Sequence, residues 1–367
     1  MRERVSRRSG STSQPGSAAP AGTTVGDTAT ALSANGASEP VTVIPQPVPA
    51  DEPPRRETAE TAAAESPARG GLRLGVRALA LVESLRPRQW VKNILVAAAP
   101  LAAGRLWHPS VLVDTAVAFG VFVLASSGGY LINDARDIEN DRAHPTKRRR
   151  PIARGDVPVP LAYGVAVILL LAAIGIPAVT GYGDLAICVT VYVVCTLSYS
   201  NWLKHEPVID LALVAAGFLL RSMAGGLAAE IPLSRWFLIV AAFGSLFMVA
   251  GKRYSEIITL GDDQGTRPLL REYSASYLRF VWSTSAGVVI AAYCLWAFEV
   301  ADARAGETSA PWTSLSIAPL VLGLLKFARD VDRGHTGEPE EIVLRDKGLL
   351  ALGAVWLVLF GLGVLHV

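Results

Sequence analysis

From residue 72 onward, long apolar runs alternate with short polar segments. As helices that rise about 1.5 Å per residue, the runs are roughly long enough to cross about 30 Å of hydrocarbon. We predict nine membrane-spanning helices, at about residues 90–106, 111–132, 158–180, 184–203, 207–228, 234–251, 278–299, 310–327 and 347–366. Because an ordinary soluble core does not need so many apolar runs of this length, the pattern predicts an all-α polytopic membrane protein.

The chain before the first span has a different character. Residues 1–70 are dominated by Ala, Gly, Ser, Thr and Pro without apolar periodicity, which predicts a disordered N-terminal tail. No apolar stretch follows its basic start, so no cleaved signal peptide is expected. Residues 71–88 mix apolar side chains with Arg73 and Arg77, which favours a helix at the membrane surface. Residues 89–367 are then expected to form a nine-helix transmembrane catalytic domain.

The basic residues indicate the orientation in the membrane. Hydrophobic residues make up 51% of the chain, and the net charge is only +2, so the placement of the charges matters more than their sum. Twenty Lys and Arg fall in the loops on one side of the predicted spans and three on the other. The positive-inside rule therefore predicts a multi-pass cell-membrane protein with a cytoplasmic N-terminus and Val367 outside.

The cysteines offer no chemistry. Cys188, Cys195 and Cys294 all lie inside predicted spans and form no CxxC or Cys/His pattern. We expect them to be small packing residues, and we predict neither a disulfide nor a zinc site.

An acidic motif follows the second apolar run, where Asn133, Asp134, Asp137 and Asp141 fit the pattern NDxxDxxxD. On a helix of 3.6 residues per turn the three aspartates share one face, and Asn133 lies close to Asp137. Carboxylates this close repel one another, and a hard divalent cation relieves the repulsion. We interpret the motif as a Mg²⁺ site that carries a diphosphate. The alternative is a solvated helix end paired with nearby arginines.

A basic run completes the same loop, with Lys147, Arg148, Arg149, Arg150 and Arg154. Membrane topology and anionic lipid account for part of it. Beside an acidic cluster, the run also suits a polyanionic substrate whose diphosphate meets the metal while another phosphate meets Arg and Lys.

Further charges lie at membrane depth. Asp210 and Arg221 are expected on one face of the fifth span, and ionisable residues inside spans are candidates for functional sites. The alternative is that they are structural partners of other spans. Other polar groups at the same level are Lys92, Tyr130, Tyr199, Lys204, Lys252, Arg253, Tyr254 and Glu256. We expect them to share an anion cavity with the acidic motif.

Four segments resemble a known family. RPRQWVKN (86–93), SSGGYLINDARDIENDRAHPTKRRRPIARG (126–155), YSNWLKHEPVID (199–210) and LFMVAGKRYSEI (246–257) are similar to the UbiA superfamily of intramembrane prenyltransferases. The HPTKRxRPIA and AGKRYSE stretches resemble its actinobacterial decaprenyl-phosphate phosphoribosyltransferases more narrowly. The likeness covers about residues 80–367 and implies a UbiA-like intramembrane helical bundle.

The resemblance implies transfer of 5-phosphoribosyl from phosphoribosyl diphosphate (PRPP) to a polyprenyl (decaprenyl) phosphate, for arabinan and cell-wall precursor synthesis. The implied cofactor is Mg²⁺ and the implied surroundings are a lipid bilayer; nucleic acid is not expected as a partner, and a homo-oligomer is left open. It implies metal ligands Asn133 and Asp137, with Asp134 and Asp141 as further ligands or supports and Asp137 as the catalytic residue. For PRPP it implies Lys92, Tyr130, Lys147, Arg148 and Arg150, and for the lipid phosphate Lys204, Arg221, Lys252 and Arg253.

One sequence difference from the superfamily bears on the choice between a phosphoribosyl donor and a prenyl donor. Its prenyl-diphosphate enzymes carry a second acidic DxxxD motif after the sixth span, whereas here Asp262 and Asp263 are adjacent and a Lys-Arg pair comes first. One acidic and one basic site favour a phosphoribosyl donor with a lipid monophosphate acceptor. The alternatives are a prenyltransferase acting on an aromatic or quinone precursor, and a transporter, which should show internal repeats or broken helices in paired positions.

Overall fold

The computed structural model describes residues 67–260, 272–303, 311–333 and 345–365. Within these ranges the regular structure is helical, as the apolar runs predict. Of the predicted N-terminal tail, residues 1–66 lie outside the described residues, as do Asp262 and Asp263. The predicted surface helix is present as Pro67–Ser84, so it already begins before the expected boundary at residue 71.

Thirteen α-helices are described and are numbered here in chain order. They are α1 Pro67–Ser84, α2 Ala98–Ala102, α3 Pro109–Arg136, α4 Ile138–Ala143, α5 Pro151–Arg154, α6 Val159–Val179, α7 Gly183–Asn201, α8 Ile209–Ala228, α9 Arg235–Leu260, α10 Ala275–Ala303, α11 Trp312–Leu315, α12 Ile317–Asp332 and α13 Lys347–Val364. Three 3-10 helices lie between them, at Pro87–Ala97, Lys147–Arg149 and Leu203–His205. Seven of the described α-helices, α3, α6 to α10 and α13, are long and apolar enough to cross a membrane.

The predicted count of nine spans is not confirmed, because the first and the eighth are broken and short. The first consists of the 3-10 helix Pro87–Ala97 and the five-residue α2. Pro100 lacks the N–H group that would bond the carbonyl of Val96 in a regular helix. The eighth is divided at Ser316 into α11 and the 16-residue α12. Pro319 likewise has no N–H group to offer the last carbonyl of α11, that of Leu315.

Helix α8 lies between two apolar cores. It packs against α3 and α7 on one side and against α9 on the other. In the first core the rings of Phe122 and Tyr192 lie 5.0 Å apart. In the second, Phe247 contacts Trp282 and Phe327 at centroid distances of 5.9 and 5.6 Å. A polar side chain on α8 can therefore face either half of the bundle.

A capping aspartate fixes the start of α13. Asp346 accepts hydrogen bonds from the backbone N–H groups of Gly348 and Leu349 at 2.7 and 3.0 Å. Lys326 of α12 donates to the same carboxylate at 2.7 Å. This hydrogen bond from Lys326, together with those from the backbone, lowers the pKa of Asp346 to about 2. The cap therefore keeps its charge across the ordinary pH range and ties α13 to α12.

Gly225 of α8 packs closely against the first span. A Cβ atom at this position would lie 2.2 Å from the carbonyl oxygen of Val96 and 3.2 Å from Pro100. The first span therefore packs directly on the backbone of α8, which places the residues that follow Pro87 next to those of α8.

Gly225→Ala should lower the free energy of unfolding by about 1–3 kcal/mol, because the added methyl group must push the first span away from α8. The measurement is thermal unfolding of the detergent-solubilised protein. Gly287→Ala in α10 is the matched control, since its added Cβ meets nothing within 4 Å. If the two variants unfold at the same temperature, the close packing of α8 against the first span is wrong.

Candidate functional site

The acidic motif lies on a corner between two helices. Helix α3 ends at Arg136, and Asp137 has backbone angles of φ −89° and ψ 16°, outside the helical region. Two backbone hydrogen bonds continue across the corner, from Asp137 N to Asn133 O at 2.9 Å and from Asp141 N to Asp137 O at 2.8 Å. The corner keeps the motif compact, but the side chains no longer follow one straight helix face.

Two of the aspartates point inward and are neutralised by arginine. Asp134 and Asp141 are 3% and 2% exposed. One nitrogen, Nη1 of Arg150, donates to Asp134 at 2.9 Å and to Asp141 at 2.6 Å. Arg86 donates to the same oxygen of Asp134 at 2.5 Å. Because buried carboxylates need such compensation, this cluster is a fixed part of the structure.

The other half of the motif is more open. Asn133 and Asp137 are both half-buried. Nζ of Lys204, in the connection between α7 and α8, lies 2.6 Å from the Asp137 carboxylate. The Asn133 amide makes no side-chain hydrogen bond within the part of the chain that the structure describes. Asn133 and Asp137 thus retain oxygen atoms that can bind a ligand.

The predicted metal ligands therefore divide into two pairs. Among the described residues, no group of three or more His, Cys, Asp or Glu side chains is close enough to hold a metal ion. The expectation that all three carboxylates point into one space is therefore wrong, because Asp134 and Asp141 turn toward Arg150 at the corner. Asn133 and Asp137 still fit Mg²⁺, which usually takes one or two carboxylates, several waters and substrate phosphates.

A buried cation lies deeper in the bundle. Arg221 of α8 is 6% exposed and donates to Asn93 Oδ1 at 2.8 Å and to the Tyr192 hydroxyl at 2.6 Å. Its guanidinium also lies 4.9 Å from the centre of the Tyr192 ring. Arg221 forms no ion pair with any carboxylate in the described ranges. A buried guanidinium with only neutral partners is well placed to attract an anion.

Tyr130 connects this cation with the charged end of the bundle, defined here as the end that carries residues 133–155. Its hydroxyl interacts electrostatically with Arg221 and Lys92, and the Arg86 guanidinium lies 4.8 Å from its ring centre. Three of the predicted substrate residues, Lys92, Tyr130 and Arg221, are therefore brought together.

Asp210 has a different role from Arg221, although both lie on α8. Its carboxylate is fully buried and accepts from Arg253 at 3.1 and 3.2 Å and from the Tyr199 hydroxyl at 3.0 Å. Glu256 adds a second ion pair to Arg253 at 3.2 Å. The charge of Arg253 is thus compensated twice. This pairing favours the structural interpretation of Asp210 and weakens the predicted contact of Arg253 with lipid phosphate.

The basic run is also divided by the structure. Lys147, Arg149 and Arg150 line a polar cavity with Arg86 and Asp134, whereas Arg148 is exposed and does not line it. Lys252 is half-buried on α9 near Arg253. The structure therefore gives cavity positions to Lys147 and Arg150 among the predicted PRPP residues and none to Arg148.

Sequence reasoning missed three residues of the site. Arg86 was not predicted to lie at the site, although it forms an ion pair with Asp134 from a left-handed backbone, at φ 56° and ψ 61°. Asn93 and Tyr192 hold Arg221 but lie within apolar runs. The intramembrane Arg221 was the available signal, because a buried guanidinium needs such acceptors.

Comparison with known proteins identifies the family. The model of the UbiA prenyltransferase family matches residues 93–345. The chain belongs to this family. Among its relatives, the decaprenyl-phosphate phosphoribosyltransferase of Corynebacterium glutamicum is 48% identical over 281 residues, which cover 75% of this chain and 84% of the relative. The enzyme of the same name from Mycobacterium tuberculosis is 47% identical over 294 residues, covering 77% and 94%. The resemblance that the sequence motifs predict is confirmed.

Solved structures support the UbiA fold. A UbiA homolog from Archaeoglobus fulgidus bound to DMAPP and Mg²⁺ matches with a TM-score of 0.58 at 14% identity, covering 78% of this chain and 99% of that one. A digeranylgeranylglyceryl phosphate synthase structure matches with a TM-score of 0.54 at 15% identity, covering 79% and 99%. At this identity the likeness shows a shared fold, and the residues of the site have to be argued from this chain.

Asp210→Asn should lower the free energy of unfolding by about 3 kcal/mol, because it removes one of the two carboxylates that compensate the buried Arg253. The double variant Asp210→Leu/Arg253→Met should recover much of the loss, since the buried guanidinium and carboxylate are removed together and Glu256, which loses Arg253, is only half-buried. Both are measured by unfolding in detergent. If Arg253→Met alone leaves stability unchanged but weakens lipid phosphate binding, Arg253 is a substrate residue after all.

Proposed function

We propose that this protein transfers the 5-phosphoribosyl group from PRPP to the phosphate of decaprenyl phosphate or a similar polyprenyl phosphate and releases diphosphate. The observation that carries the proposal is sequence identity. Over about three quarters of the chain, 48% and 47% of the residues are identical to those of two decaprenyl-phosphate phosphoribosyltransferases. Two features of the site support it: open oxygen ligands at Asn133 and Asp137, and a deeper cation, Arg221, without a carboxylate partner. The product would serve arabinan and arabinogalactan synthesis for the cell wall.

The donor's diphosphate is assigned to the open half of the acidic motif. Asn133 and Asp137 would hold Mg²⁺, and Asp134 and Asp141 would support them by fixing the corner through Arg150. Magnesium bound there would neutralise charge on the leaving diphosphate. Lys204 lies against Asp137 and can turn its ammonium group to a phosphate oxygen once Asp137 binds the metal. Asp137 is therefore the proposed catalytic residue.

The acceptor's phosphate is assigned to the deeper cation. Arg221 with Lys92 and Tyr130 forms a cationic region near the charged end of the bundle, between apolar helices that can face the acceptor's tail. The attacking oxygen of a lipid phosphate is already ionised, so no general base is needed. It attacks C1 of ribose opposite to the leaving diphosphate, the new C1–O bond forms as the old one breaks, and the configuration at C1 inverts. Positioning and charge stabilisation supply the acceleration.

The location follows from the same charges. The apolar helices and the family are those of an integral membrane protein. We assign it to the plasma membrane with the charged end and the N-terminus in the cytoplasm, because twenty Lys and Arg lie on that side of the predicted spans and three on the other. A water-soluble donor would then enter from the cytoplasm, and the lipid acceptor from the bilayer.

The transfer is tested with membranes that contain the protein. They are given one of two labelled pairs: PRPP with polyprenyl phosphate, or prenyl diphosphate with an aromatic acid. Label from PRPP should pass to polyprenyl phosphate in the organic phase, and only with Mg²⁺ present. Asp137→Asn should reduce this turnover at least a hundredfold, because the leaving group loses its metal. Asp184→Asn, at an exposed position in the first turn of α7, is the control for the charge change. Transfer only from prenyl diphosphate to an aromatic acid would show that the function is that of a prenyltransferase.

Arg221→Gln should raise the KM for polyprenyl phosphate about tenfold to a hundredfold, because a hydrogen bond to a charged group is lost. The KM for PRPP should change little, and Arg221→Lys should restore part of the affinity. Arg235→Gln, at the opposite end of α9 from Arg253, has the same charge change and should match wild type. If Arg221→Gln raises both KM values equally, the guanidinium does not distinguish the acceptor.

A further inference from the structure

A separate polar cavity opens beside the acidic motif, lined by Asp134 but not by Asn133 or Asp137. Its volume is about 310 Å³. Four cations line it, Arg86, Lys147, Arg149 and Arg150, together with the carboxylates of Glu83 and Asp134. Arg149 is exposed and forms no ion pair with another described residue. With four cations and two carboxylates, the cavity has an excess of positive charge and suits an anion such as a phosphate group.

The backbone holds one wall of this cavity in a strained conformation. Arg86 has a left-handed backbone, which non-glycine residues rarely adopt. The preceding carbonyl, that of Leu85, accepts from Trp90 Nε1 and from Ser127 Oγ, both at 3.2 Å. These two hydrogen bonds fix the corner between α1 and the first span, and so place the Arg86 guanidinium on Asp134. The wall is therefore set before any ligand arrives.

The cavity and the proposed diphosphate position flank one point of the chain. Asn133 and Asp134 are consecutive, with Cα atoms about 3.8 Å apart. On a helix their side chains diverge by about 100°. Asn133 belongs to the open pair with Asp137, and Asp134 lines the cavity. Two anion positions thus lie next to each other at a single helix end, one at Asp134 and one at Asn133 with Asp137.

We propose that this cavity binds the 5-phosphate of the phosphoribosyl donor, with Lys147 and Arg149 as the residues that contact it and Arg86 and Arg150 as the fixed wall. The proposal rests on the proposed function and deepens it. A sugar that carries diphosphate at C1 and phosphate at C5 presents two anions at its two ends, and each side of the motif takes one. A prenyl diphosphate has phosphate at one end only, so the cavity gives the site its preference for a sugar phosphate.

The test uses two small anions as separate probes, ribose 5-phosphate for the cavity and magnesium diphosphate for the open pair. Calorimetric titration into the purified protein in detergent gives the affinity for each. The double variant Lys147→Gln/Arg149→Gln should weaken ribose 5-phosphate about tenfold to a hundredfold and leave magnesium diphosphate unchanged. Lys204→Met should weaken the binding of magnesium diphosphate and leave that of ribose 5-phosphate unchanged. Arg142→Gln, on α4 in the same loop but outside the cavity, is the control for lost charge and should bind both probes as wild type does.

Three outcomes would overturn the assignment. Equal weakening of both probes by the double variant would mean that the cavity acts only through general charge. Unchanged binding of ribose 5-phosphate would mean that the 5-phosphate lies elsewhere. In the transfer assay, the double variant could show a raised KM for polyprenyl phosphate and an unchanged KM for PRPP. That result would mean that the cavity binds the acceptor instead of the donor. Titration needs no turnover, so it tests the subsite independently of the reaction. A wrong reaction would instead appear as absent label transfer by the wild-type protein.

Discussion

The charged end of the bundle depends on one interaction, the arginine that lies between two buried aspartates. Arg150 donates to Asp134 and Asp141 through a single nitrogen, and both carboxylates are almost fully buried. Without that cation two like charges would face each other in a region of low dielectric, where their repulsion is strong. The pairing fixes the corner between α3 and α4. Asn133 and Asp137 take no part in this pairing and stay half-buried, so their oxygen atoms can reach a ligand.

The same principle separates the two charges of α8. Asp210 is enclosed by Arg253 and Tyr199, and a carboxylate that is already saturated in this way has little left to offer a substrate. Arg221 is held by an amide oxygen, a phenol and an aromatic ring, which orient the guanidinium but leave its charge uncompensated. In a membrane span an uncompensated charge is costly. Its retention is physically reasonable if an anionic substrate supplies the missing partner during turnover.

The sequence predicts the elements better than their contacts. Apolar runs predict most of the long helices because hydrocarbon thickness sets their length, and NDxxDxxxD indicates the charged end because such side chains are rare beside a span. The breaks in the first and eighth spans depend on Pro100 and Pro319, whose effect length alone does not reveal. The division of the aspartates could not be predicted from helical periodicity, since it depends on the non-helical Asp137 and on Arg86, which comes from a distant segment. Tyr192 gave no signal, because inside an apolar run a tyrosine is indistinguishable from a packing residue.

A UbiA scaffold that accepts a sugar phosphate needs few changes at its charged end. The helix corner and the proposed oxygen ligands at Asn133 and Asp137 would suit any diphosphate donor, since they would act on the leaving group alone. What differs among donors is the group attached to that diphosphate. A prenyl chain needs an apolar wall there, whereas phosphoribose needs cations. In this chain the loop after the motif provides Lys147, Arg149 and Arg150 within a few residues of it. Donor choice can thus lie in one short basic segment, while the helical bundle remains that of the family.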